Sequence, residues 1–500
     1  MSKNTDFDLI VIGAGLGGSA ITWALRNSNL RIAVLDRGGP LKQEAENWDP
    51  DEVLKKRRYD TTEVWYDEQD QPFTPRVYYN YGGSSKFFGG SAFRLRERDF
   101  ISHRFPDGET IDWPITYNIL SPYYDIAEKQ MHVHGSAHAD PSEPPRGKYP
   151  HSPLEHEKSI EWLSQRIEMQ GLHPFALPSA VHQGDGGHCQ KGSPCDGFPC
   201  KIRAKFDGEN AFLRPALREN KTISMFPHTR VLQILHNSNG TRVTVVKAVN
   251  TQGEQISLSA GIVVLCAGAV QSAALLLASV SERYPHGLGN ASDQVGRNFM
   301  SHNNTVLMAL SPFRKNPTWF QKTMAFNDFY ADGGNVQMRG KILHQNLERS
   351  GTFLMRKFSR FIAERSFDFW VMSEDLPDEQ NRVELRDDGS IRLSRKLNNL
   401  KTHKQFVKQI KRILHKAGLP IIIERPPSPS AIQHQVGTLR MGDNPETSVV
   451  APDGRTHELE NLYVADASIF PSSAAVNPSL TIAANALRVA DSILKTYSKS

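Results

Sequence analysis

Three glycines near the start of the chain are spaced to receive a phosphate: Gly13, Gly15 and Gly18, in Gly13-Ala14-Gly15-Leu16-Gly17-Gly18. In such a spacing the first glycine makes a tight turn, the second lets backbone approach a pyrophosphate, and the third allows close packing of helix on strand. The following helix then offers its unpaired N–H groups to the anion. Asp36 lies 23 residues after Gly13 and suits a hydrogen bond to an adenosine ribose hydroxyl. An acid at this point argues against a 2′-phosphate, hence against NADP, and leaves FAD and NAD open. A second group of reactive residues is His188-Cys189, Cys195 and Cys200. With five and four intervening residues the cysteines do not match the C-x-x-C of common zinc sites. Three thiolates, or three with His182 or His188, suit an iron–sulfur cluster or zinc. A stiff loop with at most one disulfide is the competing reading. Cys266 reads as core.

The elements that must position the glycines are legible around them. Phe7–Ile12 is an apolar run typical of a strand buried on both faces, and Ile32–Leu35 repeats it after a helical stretch, giving a βαβ unit. Between 40 and 210 the texture turns irregular, with helical patches near 119–130 and 159–169. Strand-like runs return at 222–225, 230–235, 241–249 and 261–265, followed by a helix through Ser279. Lys404–Leu414 is amphipathic, with Phe406, Ile410, Ile413 and Leu414 on one face and lysines opposite. That basic face reads as solvated, with a membrane-surface role as the alternative. The chain closes with a strand, 462–465, ending near Asp466, then a loop and a helix whose N-cap and first position are Asn477 and Pro478.

The 500 residues include 39% hydrophobic and 23% charged side chains, a globular composition that excludes disorder, collagen and coiled coil. Four cysteines exclude a disulfide scaffold. A net charge of +5 from 59 basic and 54 acidic residues is nearly balanced and gives no case for nucleic acid. No apolar run is long enough for a transmembrane segment. Met1–Asp6 is short and polar, so the expected location is cytoplasmic, a leader missing from this chain being the alternative.

Several segments together resemble the glucose–methanol–choline (GMC) oxidoreductases. They are the glycine loop; Gly82-Gly83-Ser84-Ser85 with Gly89; Ala267-Gly268-Ala269-Val270-Gln271-Ser272; Val295-Gly296-Arg297-Asn298; His434-Gln435-Val436-Gly437-Thr438-Leu439-Arg440-Met441-Gly442; and the C-terminal stretch from Leu462. They run in the family's order from residue 7 to residue 492. The resemblance implies an α/β fold, with a discontinuous Rossmann-like FAD-binding domain and an inserted α+β substrate-binding domain built on an antiparallel sheet with helices. The expected FAD domain takes 1–110, 215–310 and 445–500. The substrate domain takes 111–214 and 311–444, with the cysteine-containing loop at 182–200.

The resemblance also implies a site. Gly13, Gly15, Leu16, Gly18, Asp36, Arg37, Gly83, Ser84, Ser85, Gly89, Gly90, Val231, Ala267, Asp466, Ala467, Asn477, Pro478 and Ser479 would bind FAD. Oxidising a carbinol needs a base for the hydroxyl proton and an acceptor for the hydride. His434 is the expected base, and Asn477, 43 residues on, the donor that holds the substrate oxygen. Many family members carry asparagine where this chain has Phe88, and no histidine or cysteine in that loop is placed for covalent attachment, so noncovalent FAD is expected. The implied reaction is FAD-dependent oxidation of a primary or secondary alcohol, a sugar or polyol favoured, to the carbonyl. The electrons would pass to oxygen, a quinone or a redox protein. A non-redox lyase on the same fold and an electron-transfer subunit of a membrane dehydrogenase complex are the alternatives, with an NAD-dependent dehydrogenase more remote. Glu374-Asp375 reads as a surface pair. Trp319, Phe320, Phe326, Phe329 and Tyr330 read either as substrate wall or as core.

Overall fold

The computed structural model describes residues 5–183, 187–191, 194–341, 353–426 and 432–497. Residues 1–4 of the N-terminal segment, 184–186 and 192–193 of the cysteine loop, and 342–352 and 427–431 of the expected substrate domain lie outside the described residues.

Two sheets organise the chain. In the first, Phe7–Ile12 lies at the centre, parallel to Ile32–Leu35 on one side and to Gln255–Leu265 on the other. Ser224–Phe226 extends the sheet beyond Ile32–Leu35, and Leu462–Val464 pairs in parallel with the end of Gln255–Leu265. The central strand's Leu9, Ile10 and Val11 have no exposure, as a strand covered on both faces requires. Helices Leu16–Ala24, Ala269–Ala278 and Ser479–Tyr497 bring their termini to the strands' carboxyl ends, where ligands bind in open parallel sheets.

The second sheet has six strands, and each of its pairings is antiparallel: Ile421–Arg425, Asn303–Leu310, Ser366–Ser373, Asn335–Met338, Met324–Phe326 and Pro174–Ala176, in that order. Asn303–Leu310, at the end of the 215–310 segment, pairs in this sheet and not in the first. Helix Leu400–Lys416 lays Phe406, Ile410, Ile413 and Leu414 against one face of the sheet, in a core with Leu307, Phe367 and Phe369. Its lysines remain on the opposite side. Among the described residues no helix is long and apolar enough to cross a membrane.

Candidate active site

A cavity of about 1040 Å³ runs from the carboxyl ends of the first sheet to the open face of the second. That is the upper end of the usual range for ligand pockets, about 300–1,000 Å³. Its floor is the glycine loop. A Cβ built on Gly15 would project into the cavity, meeting only Cys266 O at 3.9 Å, and one on Gly268 would meet nothing within 4 Å. Gly18 differs: its Cβ would stand 1.9 Å from Gly13 O, so its role is packing. Helix Leu16–Ala24 begins with no side-chain cap and no acid in its first turn. Its N-terminal N–H groups are therefore available to a phosphate. Asp36 accepts from Ala14 N at 2.7 Å and Gly38 N at 2.8 Å, holding the loop while its remaining lone pairs border the cavity. Arg37 stacks over Tyr79 at 3.8 Å. These residues fit a flavin dinucleotide.

Of the residues expected to bind FAD, Gly13, Gly15, Leu16, Asp36, Arg37, Gly83, Ser84, Ser85, Gly89, Val231, Ala267, Asp466, Ala467, Asn477, Pro478 and Ser479 border this cavity. Gly18 and Gly90 do not; Gly90 lies behind the wall, against Val181 and Ala180. Asp466 also holds the chain together. It accepts from Gly268 N, Ser272 Oγ and Ser468 N at 2.6–2.8 Å, tying the 266–268 turn to the C-terminal strand. Phe88 borders the cavity and its carbonyl accepts from Lys205 Nζ at 2.8 Å.

His434 and Asn477 meet above this floor, with His434 Nε2 3.3 Å from Asn477 Nδ2. Four partners absent from the sequence-based expectation, His302, Ser473, Gln337 and Ser91, fix their protons. Ser473 O can only accept, so His302 Nε2, 3.1 Å away, carries a hydrogen. His302 is buried, which holds its pKa below the ordinary value and keeps it neutral, so its Nδ1 is a lone pair. His434 Nδ1, 2.8 Å from that lone pair, must then donate, and its Nε2 is left as an acceptor. From the other end, Ser91 Oγ donates to Gln337 Oε1 at 2.6 Å, and Gln337 Nε2 donates to Asn477 Oδ1 at 2.7 Å. This turns the Asn477 amide so that its NH₂ faces His434. Six residues thus form one chain with every donor pointing the same way, and it presents a basic nitrogen beside an amide donor at the cavity wall. Burial, with His302 adding to it, drives the His434 pKa well below 6.5.

His434 and Ala474 hold left-handed backbone, at φ 59° and 52°. Such strain persists where the surroundings over-determine it. At Ala474 the bracing comes from Glu374; both Glu374 and Asp375 are buried, which corrects the surface reading of this pair. Glu374 Oε1 accepts from Ala474 N at 2.8 Å, and Asp375 Oδ2 from Ser301 N at 2.9 Å. The Asp375 carboxyl, its pKa pushed up to about 7 by burial, thus holds the backbone one residue before His302. None of Trp319, Phe320, Phe326, Phe329 or Tyr330 borders the cavity; on the side of the second sheet Trp370 does.

The cysteine loop packs beside the cavity. Cys189, Cys195 and Cys200 are free thiols around a void of about 20 Å³. Among the described residues no three His, Cys, Asp or Glu side chains are arranged to hold a metal ion. Two buried lysines staple the loop instead. Lys205 Nζ donates to the carbonyls of Phe88, Cys195 and Phe198, and Lys322 Nζ to Cys195 Sγ at 3.1 Å and Asp196 Oδ1 at 3.2 Å.

Two family models, each described as GMC oxidoreductase, match residues 157–304 and 377–486, together more than half of the chain. The chain belongs to the GMC oxidoreductase family. Among curated relatives, paromamine 6'-oxidase of Streptomyces fradiae is 28% identical over 511 residues, covering 97% of this chain and 91% of the relative. The fructose dehydrogenase large subunit of Gluconobacter japonicus is 25% identical over 570 residues, covering 99% of each. Among solved structures, pyridoxine 4-oxidase from Mesorbium loti superposes with a TM-score of 0.67 at 19% identity over 99% of both chains, which shows the shared fold. This GMC oxidoreductase is a flavoprotein enzyme, and FAD is the cofactor of its family.

The hydrogen-bond chain makes His302 a positioning residue. His302→Ala leaves His434 Nδ1–H without its acceptor in a buried place. Turnover should fall about tenfold to a hundredfold, the rate equivalent of one unsatisfied buried donor. His302→Asn, whose Oδ1 takes the place of Nδ1, should recover most of the loss. The readout is kcat against pH with KM followed separately: a purely structural role would lower folded yield and leave the pH profile of the surviving enzyme unmoved.

Proposed function

We propose that this enzyme oxidises the carbinol of a sugar or polyol to the carbonyl, with His434 as base. The observation that carries the reading is the one-way hydrogen-bond chain that leaves His434 Nε2 unprotonated on the cavity wall. The substrate hydroxyl takes the place beside Nε2 and gives it the proton, while Asn477 Nδ2–H donates to the same oxygen. The imidazolium that forms keeps its Nδ1–H on His302, whose lone pair stabilises the new charge. FAD, when bound, supplies the hydride acceptor. The buried wall excludes water from the carbinol, and Gln337 keeps the Asn477 amide from rotating. A polar substrate agrees with the relatives named paromamine 6'-oxidase, fructose dehydrogenase large subunit and 2-methyl-1,2-propanediol dehydrogenase.

We assign the flavin to the segments that build the first sheet and the substrate to the face of the second, with Asn303–Leu310 on the substrate side. The FAD is read as noncovalent. Of the cavity-lining cysteine and histidine side chains, Cys266 is buried with its thiol pushed up, and His434 is held by its Nδ1–H on His302 with Nε2 turned to Asn477.

The test is anaerobic titration of the purified flavoprotein with a panel of sugars, polyols and simple alcohols. A member of the sugar or polyol class should bleach the flavin, and acid precipitation should release it. Readmitted air separates oxidase from dehydrogenase. Flavin that stays oxidised while a carbonyl product is released would overturn the reading in favour of a lyase. The pH dependence follows from the base: it must be neutral to work, and its pKa is depressed. Thus kcat/KM should be flat above pH 6.5 and fall only as pH drops through the depressed pKa below it. An acid limb centred above 6.5 would place the base elsewhere.

A further inference from the structure

The open face of the second sheet carries a row of cavity-lining side chains that its register sets side by side. Arg425 pairs with Val306, Val306 with Trp370, and Trp370 with Gln337. All four border the cavity, as do Asn304 and Met372 one rung along. Side chains on one face of directly paired residues are neighbours, so this row is one continuous wall. Gln337 ends the row at the catalytic amide, bonded to Asn477 at 2.7 Å. Arg339 follows two residues later, about 7 Å further along the chain at an extended rise.

Charge on this wall is lopsided. Lys322, Arg339 and Arg425 border the cavity as cations, against Asp196 as the anion. Asp196 is already committed: Oδ1 accepts from Lys322 Nζ at 3.2 Å and Oδ2 from Gly340 N at 2.6 Å. Among the described residues the Arg339 side chain has no hydrogen-bond acceptor, and its Nε is fully buried without a partner. Its guanidinium stacks over Trp370 at 4.3 Å, which fixes the plane and leaves the edge free. Asp368 is felt electrostatically by Arg339 but does not border the cavity. Burial lowers the Arg339 pKa against the opposing attraction of Asp196 and Asp368, and Arg425 adds a smaller repulsion from a second positive charge. A guanidinium edge left unpaired and facing a like charge costs free energy unless a ligand supplies the anion. Asn304 Oδ1, buried without a donor on the same wall, is a ready acceptor for a hydroxyl.

We propose that the substrate is an alcohol bearing an oxyanion, a carboxylate or phosphate set a few bonds from the reacting carbinol, and that Arg339 with Arg425 receives it. This rests on the alcohol-oxidation reading above and narrows its substrate class. A planar fork on an aromatic face matches both carboxylate and phosphate, so the wall recognises the shared oxyanion, and the probes separate the two.

The experiment uses the FAD-loaded full chain and matched probes: glucose with glucuronate, and glycerol with glycerate and glycerol 3-phosphate. Anaerobic flavin bleaching gives rates, and the perturbation of the flavin spectrum by malonate and by inorganic phosphate gives binding without turnover. In each set the anionic member should show the higher kcat/KM. Arg339→Gln should raise KM for the anionic probe, and weaken malonate or phosphate binding, about tenfold to a hundredfold, as expected for a lost hydrogen bond to a charged group. Neutral members should change far less than anionic ones, and Arg339→Lys should recover part of the loss. Arg425→Gln, at the exposed end of the row, tests the same charge where folding is not at stake. Neutral members preferred in every set, or anionic probes indifferent to both arginine variants, would overturn the proposal while leaving the alcohol reading intact. If no alcohol, neutral or anionic, bleaches the flavin but the anions still bind through Arg339, the alcohol reading fails and the oxyanion site stands.

Discussion

Replacing His434 with alanine should slow substrate-dependent flavin bleaching about 10²–10⁴-fold, the range contributed by a positioned general base. The flavin content of the protein should be unchanged, because His434 lies above the dinucleotide floor and holds none of it. The size of the effect comes from the absence of a substitute. Asn477 reaches the same oxygen but is a donor there, since Gln337 occupies its carbonyl. His302 is held behind His434 with both of its nitrogens in use. The backbone of His434 is left-handed, so alanine inherits the strain and asparagine relieves it. Running His434→Asn beside His434→Ala therefore separates loss of the base from loss of local structure. Stopped-flow bleaching with saturating substrate is the measurement. Either variant retaining a tenth of the rate would show that the proton leaves by another route.

The second large effect belongs to the glycine loop. Gly18→Ala puts a methyl group 1.9 Å from Gly13 O and 3.2 Å from Cys266 Cβ, and neither backbone nor strand can yield without moving the loop. The loss in stability should reach or exceed the roughly 1–3 kcal/mol typical of overpacking, and the protein should purify without flavin. Gly15→Ala makes the informative contrast. Its methyl points into the cavity, so the apo-protein should unfold at the wild-type midpoint while flavin binding is lost. Flavin content and denaturant midpoints of the two variants read the difference directly. Equal stability of both would mean that the helix packs less tightly on its strand than the geometry states.

The parts of this molecule that the chain announces are those whose partners are near in sequence. The glycine loop, its flanking strands and Asp36 all fall within thirty residues, and periodicity and turn chemistry suffice to read them. The proposed catalytic pair needed more, because His434 and Asn477 are ordinary residue types, and only their neighbours within ordered family motifs marked them. His302 had no such marker. It is a single histidine before a polar Asn303-Asn304, and nothing local says that it will stand 2.8 Å from a histidine 132 positions later. Gln337 and Ser91 are equally silent, since their role depends on a sheet that gathers strands from residue 174 to residue 425. Glu374-Asp375 misled for a physical reason: adjacent acids before a proline and more charge look solvated, yet here they serve strained backbone that needs buried acceptors.

The proposed relay bridges the two sheets. Its members come from both halves of the architecture: His302 leads into a strand of the antiparallel sheet, Ser473 and Asn477 follow a strand of the parallel one, and His434 stands in the segment that joins them. The parallel sheet on its own carries the floor that would hold the dye, so a chain caught with its layers unmated would be yellow and inert. Colour is thus a gauge of one layer's completion, and turnover a gauge of the mating of two.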